Sequence, residues 1–313
     1  MTSQPRKNAR RFFRVDMPMH ILVTSSVPLP NAEIYAIGID YFTPKIGVLI
    51  KHQLSGTNSW ADKIQEQKEI LQPLFEEIIE SIQIFGQGTK RLSNGENPKK
   101  DISFWLLVEK KKLGFENLND LKKIAPKTYA YFKLIEDKFL YYLNCFIENV
   151  THSNLEGFAD NSSLSQQEFK IDKLIKGFSN PNYDKVPLVQ SIIALSNLMD
   201  THLSIFRELN NDFSIRKRPQ NWPLEKVNIS ASGVSLSMAK RFRNKGRLNI
   251  FIYFPDDKKI LKFDGSIDNI FNIDSPTKEK IAINFDFPDG KSQQFLVFKI
   301  QEYELKRCET LTF

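Results

Sequence analysis

Apolar and polar residues alternate in two regions at opposite ends of the chain. Val15, Met17, Met19, Ile21 and Val23 take every second position, the period of a half-buried strand, and place one over 12–23. Pro18 interrupts the polar set. It has no N–H for a ladder, so this strand is expected to carry an edge or a bulge there. After Pro219 and Pro223 the alternation returns. Strands are predicted over 227–238 (two, around a tight turn), 247–254, 259–270, 280–287 and 294–300, with turns at Asp256-Asp257, near Pro276 and at Asp289-Gly290. Closely spaced strands with short turns predict a small antiparallel barrel. The stretch 295–307 fits a closing helix as well as it fits a strand, because Leu296, Ile300 and Tyr303 also share a helical face.

Between these ends the period changes to that of helices. Strand candidates at 33–40 and 46–50 come first, then a loop at 56–59. From Trp60 on, Ile64, Leu71, Leu74, Phe75, Ile78 and Ile82 form an amphipathic stripe, which Pro73 is expected to kink or divide. Residues 86–101, rich in Gly, Asn and Lys, read as an exposed loop. The period leaves 104–113 undecided between helix and strand. Helices are predicted over 118–124 and from Pro126 to about Val150, with Phe132, Ile135, Phe139, Leu143 and Phe146 on the core side of the second, and a polar loop over 151–166. The most regular helix is 186–213. Val189, Ile192, Ser196, Met199, Leu203, Phe206, Asn210 and Phe213 follow a coiled-coil-like spacing of three and four, with Ser196 and Asn210 as polar a positions. This seam predicts self-association. Leu188, Leu195 and Leu209 widen the stripe, and a wide stripe also suits an intramolecular bundle.

The fold class is therefore α+β: a small antiparallel barrel split by a large, mainly helical insertion. The expected division is 1–27 for a basic arm and first strand, 28–218 for the insertion with a short strand-like start, and 219–313 for the rest of the barrel and a C-terminal segment. At 313 residues, 41% hydrophobic and 26% charged, the chain is long and apolar enough for one large domain or two ordinary ones. Its net charge of +7 favours anionic partners without choosing among them. Cys145 and Cys308 fit no metal spacing and no disulfide framework, which points to a reducing compartment and a cytoplasmic location. No run of 18 apolar residues is present, so no membrane span is expected. No apolar segment follows the basic N-terminus, so no secretory signal is expected.

The chemistry of catalysis finds no foothold. His20, His52, His152 and His202 are scattered, and no HExxH, Walker loop or GxGxxG occurs. Ser230 and Ser232 lack the setting of a nucleophile. No enzyme activity, cofactor or metal is expected. No aromatic-and-basic recognition pattern supports a nucleic-acid partner.

What stands out is a pair of binding motifs. Arg10-Arg11-Phe12-Phe13-Arg14 contains RxxxR just before the first strand. Asn228-Ile229-Ser230-Ala231-Ser232-Gly233 matches (D/N)xSxxG and opens the second strand run. Asn228 and Ser230 are short hydrogen-bonding side chains, and Gly233 is read as giving the turn its backbone freedom. In these motifs and their order the chain resembles the PilZ domain family of bacterial cyclic di-GMP receptors. The stretch Ile281-Ala282-Ile283-Asn284-Phe285 is similar to a late strand of that family. The resemblance spans roughly 10–27 and 222–307; it departs from the family in the mainly helical insertion of some 200 residues between the motifs, and a helix before the second motif is similar to oligomeric members.

The resemblance implies a non-enzymatic effector that binds cyclic di-GMP through Arg10, Arg11, Arg14, Asn228, Ser230 and Gly233. Guanidinium groups suit phosphate and the O6/N7 edge of guanine. It also implies a homo-oligomer, dimer or tetramer, and a protein partner to which the signal is relayed. The alternative is an oligomeric scaffold with a PilZ-like barrel that binds no nucleotide.

Overall fold

A computed structural model of the protein describes residues 12–25, 31–36, 38–161, 164, 167–178, 180–238, 247–272, 279–286 and 289–310. They divide into two compact units. One combines the first strand with everything described from Ile215 on; the other holds the helices up to Ser214.

The first unit is a closed antiparallel barrel of six strands: β1 (Val15–Ser25), β2 (Leu224–Ser230), β3 (Gly233–Met238), β4 (Arg247–Phe254), β5 (Lys259–Asn272) and β6 (Glu279–Asp286). Their order around the barrel is β1-β2-β3-β6-β5-β4, so the N-terminal strand closes it between β2 and β4. All five alternating apolar residues of β1 point inward and are buried. They meet Val227, Ile229, Ile250 and Ile252, and Phe263 stacks on Phe285 with centroids 4.4 Å apart. Pro18 behaves as its missing N–H requires. Residues 15–20 of β1 pair with β2, whereas pairing with β4 begins only at His20, so Pro18 faces an unpaired flank. β5 carries a bulge between Ile267 and Asn269.

Of the two readings of the last stretch, strand over 294–300 or closing helix over 295–307, the helix holds: α8 (Gly290–Thr310). Asp289, read as half of a turn, caps it: Asp289 Oδ1 accepts from Ser292 N at 2.8 Å. These hydrogen bonds hold the Asp289 carboxyl below its usual pKa. Leu296 and Ile300 are buried, and Phe295 meets Phe254 edge-on at 5.3 Å.

The second unit contains α1 (Pro44–Ala61), α2 (Lys68–Ser93), α3 (Ile102–Lys111), α4 (Leu118–Ile124), α5 (Pro126–His152) and α6 (Lys170–Phe178), and α7 (Pro187–Arg216) runs through it to Ser214. Its centre is a cluster of phenylalanines. Phe85 of α2 lies 5.3 Å from Phe206 of α7 and 5.8 Å from Phe146 of α5.

Four expectations are corrected here. Residues 46–50 are helical, because Thr43 caps α1 at Ile46 N and Pro44 occupies its first turn; the β-branched side chains yield to this start signal. The expected loop at 56–59 lies inside the same helix. The described part of 33–40 is irregular, with one isolated bridge at Ile39, because Glu33 N and Ile34 N are taken by the Gly95 carbonyl. The insertion therefore has no strand at its start among the described residues. Finally, most of 86–93 is buried helix. Gly86 and Gly88 are contact points: a Cβ on Gly88 would sit 2.5 Å from Phe146 Cζ, and one on Gly86 would run into the His202 ring.

The seam of α7 is used inside the chain. All eight of its a and d residues, Val189 to Phe213, are buried in the single protein, so the intramolecular bundle holds and the expected open seam for a second copy is absent. Pro73 lies within α2, near its N-terminus, and does not divide it.

Candidate functional site

The closure of the barrel by β1 brings the two motifs to one corner. Val15 pairs with Ile229 and Asp16 with Asn228. Arg14 stands one residue before that register, half-buried, where β1 runs toward the β2–β3 turn. Arg10 and Arg11 lie outside the described residues. Side chains alternate along a strand. With Val15 and Met17 inside the barrel, Asp16 is outside, and so is Asn228 between buried Val227 and Ile229.

Asn228 Nδ2 donates to Asp16 Oδ1 at 2.7 Å. The next position across the sheet is Ser235, which pairs with Asn228 and is buried. Neither Asp16 nor Ser235 was singled out from the sequence. The signal was present in the alternation itself, since fixing Val15 inward fixes Asp16 outward.

Ser230 differs from the expectation that it faces a ligand. It is fully buried. Its hydroxyl donates to the Gly233 carbonyl at 3.4 Å and accepts from Ser232 N at 3.3 Å, so it braces its own turn. That turn is held from outside as well: Phe285 N donates to the Ser232 carbonyl at 2.9 Å, and Gln293 Nε2 to the Ala231 carbonyl at 3.3 Å.

Gly233 also has another reason to be glycine. Its φ is not among the positive values of the chain, so freedom to turn is not what it supplies. A Cβ there would collide with the Ile283 carbonyl of β6 and approach Asn284 Cα to 3.3 Å. The residue lets β6 lie close against the turn. The row through Asn228 and Ser235 ends at Ala282 on β6; Asn284 belongs to the neighbouring row, pairing with Gly233 on one side and with Ser266 on the other. Ser266 Oγ donates to Asp286 Oδ1 at 3.2 Å. Beyond Ser266 the register reaches Arg247, an exposed second guanidinium at the far end of the row.

The corner thus brings together the Arg14 guanidinium, the Asn228 amide, the exposed Asp16 carboxylate that holds it, and the half-buried Ser232 hydroxyl. Among the described residues no group of three or more His, Cys, Asp or Glu side chains is placed to hold a metal ion. His20 Nδ1 lies 2.8 Å from the Trp222 carbonyl midway along β1, where its pairing with β2 ends. A cleft of about 270 Å³ opens there, where β1 and β4 part and α8 crosses. Most of its charges are paired: Lys299 with Asp257 at 2.8 Å and with Glu302 at 2.9 Å, and Lys306 with Glu302 at 2.9 Å, while Asp256 also lines it.

No described helix is long and apolar enough to cross a membrane. No family model and no curated protein matches the chain. Among solved structures the chain is similar to the Bacillus subtilis inhibitor of motility, MotI/DgrA, at 23% identity and a TM-score of 0.24, over 26% of this chain and 41% of that one. The chain thus spans less than half the length of that protein, and the reading of the site rests on its own residues.

Proposed function

We propose that the barrel is a receptor for cyclic di-GMP and that the protein is a cytoplasmic, non-enzymatic effector. The observation that supports this is the pairing of Val15 with Ile229 and of Asp16 with Asn228, more than 200 positions apart in sequence, which sets the two motifs at one corner of the barrel with Arg14 one residue before the pairing. In this reading Arg14, joined by Arg10 and Arg11, takes phosphate or the guanine edge. Asn228 hydrogen-bonds the ligand from the sheet. Ser230 and Gly233 act indirectly, by holding the turn and admitting β6. Ligand bound at this corner changes the surface shown to a protein partner. Assembly into a dimer or tetramer uses a surface other than the α7 seam, which is buried in the single chain.

The self-contained hydrogen bonding of the corner favours a second reading. Asn228 is satisfied by Asp16 and Ser230 by its own turn, as an oligomeric scaffold that binds no nucleotide requires. Calorimetric titration of the purified protein with cyclic di-GMP, with GMP and cyclic di-AMP as controls, separates the two. Saturable binding of cyclic di-GMP alone supports the receptor; no heat with any of the three moves the protein to the scaffold.

A further inference from the structure

The short helix α3 carries apolar residues on both faces. At 100° per residue, Phe104, Val108 and Lys111 fall on one side and are buried. Ile102, Leu106 and Leu113, just past the helix end, fall on the opposite side and are 73%, 64% and 83% exposed. Glu109 shares that side, paired with Lys112 at 3.1 Å. Exposures of this size mean that the side chains project as a ridge rather than line a groove.

The ridge is held rigidly. Gly114 has a φ of 87°, which a side chain would strain, and it turns the chain back directly after Leu113. Phe115 N then donates to buried Glu136 Oε1 at 2.6 Å. Glu77 of α2 accepts from Glu116 N at 2.7 Å and Asn117 N at 3.0 Å. Leu113 is therefore presented by design of the corner and not by fraying.

The surroundings are basic. Residues 98–127 contain eight lysines and four carboxylates, and two of the lysines, Lys100 and Lys111, are matched from outside the stretch by Glu33 and Glu80. Asp101, Glu109 and Glu116 are already paired with Arg91, Lys112 and Lys110. Lys122, Lys123 and Lys127 are exposed and belong to no ion pair among the described residues.

We propose that this corner docks on an anionic lipid bilayer surface, with Ile102, Leu106 and Leu113 entering the headgroup–acyl boundary and the lysines meeting the lipid charges. Projecting aliphatic side chains flanked by lysines are the pattern of interfacial attachment without a span. A second copy of the chain would bring the unpaired Lys122, Lys123 and Lys127 against a like-charged face, which repulsion opposes.

The test is cosedimentation of the full chain with vesicles of phosphatidylcholine alone and of phosphatidylcholine with phosphatidylserine. Binding to the anionic vesicles, weakened by salt and absent with phosphatidylcholine, is expected. The exposed-site variant L106D/L113D should reduce that binding by about tenfold or more, and K122E/K123E should reduce it too, both with unchanged circular dichroism. No vesicle binding, equal binding to both lipids, or binding indifferent to L106D/L113D would overturn the proposal. So would light scattering in which the native chain is a dimer and L106D/L113D a monomer, because the ridge would then be a contact between copies.

Discussion

Asn228 Nδ2 and Asp16 Oδ1 lie 2.7 Å apart, joining the second motif to the strand that follows the first across 212 residues of chain. The pair makes the choice of Asn over Asp at position 228 consequential. An aspartate there would face Asp16 directly across the β1–β2 register, and like charges directly opposite are destabilising by about 0.2–1 kcal/mol. N228D is expected to lower the melting temperature, and the exchange D16N/N228D to restore it. Melting curves of the single and double variants check this; N228D as stable as the native protein would show that the pair does not matter to the fold.

Arg14 and Ser230 are expected to separate affinity from stability. Arg14 is half-buried at the edge of the barrel, and a charge-assisted hydrogen bond to phosphate is worth about 1.5–3 kcal/mol. R14A should weaken cyclic di-GMP binding by about tenfold or more while the melting temperature barely moves. Ser230 is fully buried and braces its turn, so S230A should cost about 1 kcal/mol of stability and act on affinity only through the turn. Titration calorimetry and melting of both variants give the comparison. Unchanged affinity in R14A would remove Arg14 from the site.

His202 ties the stability of the helical unit to pH. It is 6% exposed, both ring nitrogens lack a partner, and burial pushes its pKa down to about 4 from an ordinary 6.5. The folded state therefore resists protonation that the unfolded state accepts. Stability from this residue is fully present above about pH 6.5 and is lost as pH falls toward about 4, by on the order of 3 kcal/mol in total. H202L should flatten that slope. Denaturant unfolding at pH 7 and pH 4.5 of the native and variant proteins measures it; parallel losses in the two would assign the acid sensitivity to other groups.

Much of the barrel is legible because its strands are one-sided, apolar toward the core and polar outward. Val15 to Val23 alternate without a break, and each inward residue is buried. The helical insertion was harder to bound, for reasons that are physical. Gly86 and Gly88 look like loop residues by composition, yet they mark where α2 needs to be thin against His202 and Phe146. Asp289-Gly290 looks like a hairpin turn, yet Asp289 caps a helix. In each case the same residue type serves two local structures, and only the packing partner chooses. At the site, the motif residues were found by spacing, while Asp16, the partner that completes Asn228, appears only once β1 is paired with β2.

Gly88 shows how packing reverses an intrinsic preference. Alanine in a helix interior is favoured over glycine by about 1 kcal/mol, so G88A in α2 would stabilise an isolated helix. In the protein the added methyl would sit 2.5 Å from Phe146 Cζ, within the cluster of Phe85, Phe146 and Phe206. An aromatic ring so enclosed has little room to move, and overpacking of this kind costs about 1–3 kcal/mol. G88A is expected to be less stable by denaturant unfolding; a gain in stability would mean that the ring shifts freely.

Gly233 carries the last expected outcome, and its sign depends on why the residue is glycine. If the turn needed a left-handed backbone, any side chain would be strained there, and asparagine, which tolerates that region, would be the mildest replacement. The backbone at Gly233 is not left-handed. The obstacle is the Ile283 carbonyl of β6, which a Cβ would strike. Backbone of a paired central strand cannot give way as a flexible side chain can. G233A should therefore cost about 1–3 kcal/mol, and G233N should be no milder than G233A. Loosening should centre on the Gly233–Asn284 pairing and show as faster amide exchange at Phe285, whose N–H closes the turn at Ser232. Gly290, where a Cβ would meet nothing within 4 Å, is the internal control, and G290A should leave stability nearly unchanged. Exchange rates and unfolding curves of the three variants decide the matter. If G233N is distinctly more stable than G233A, the turn conformation and not the approach of β6 sets the requirement.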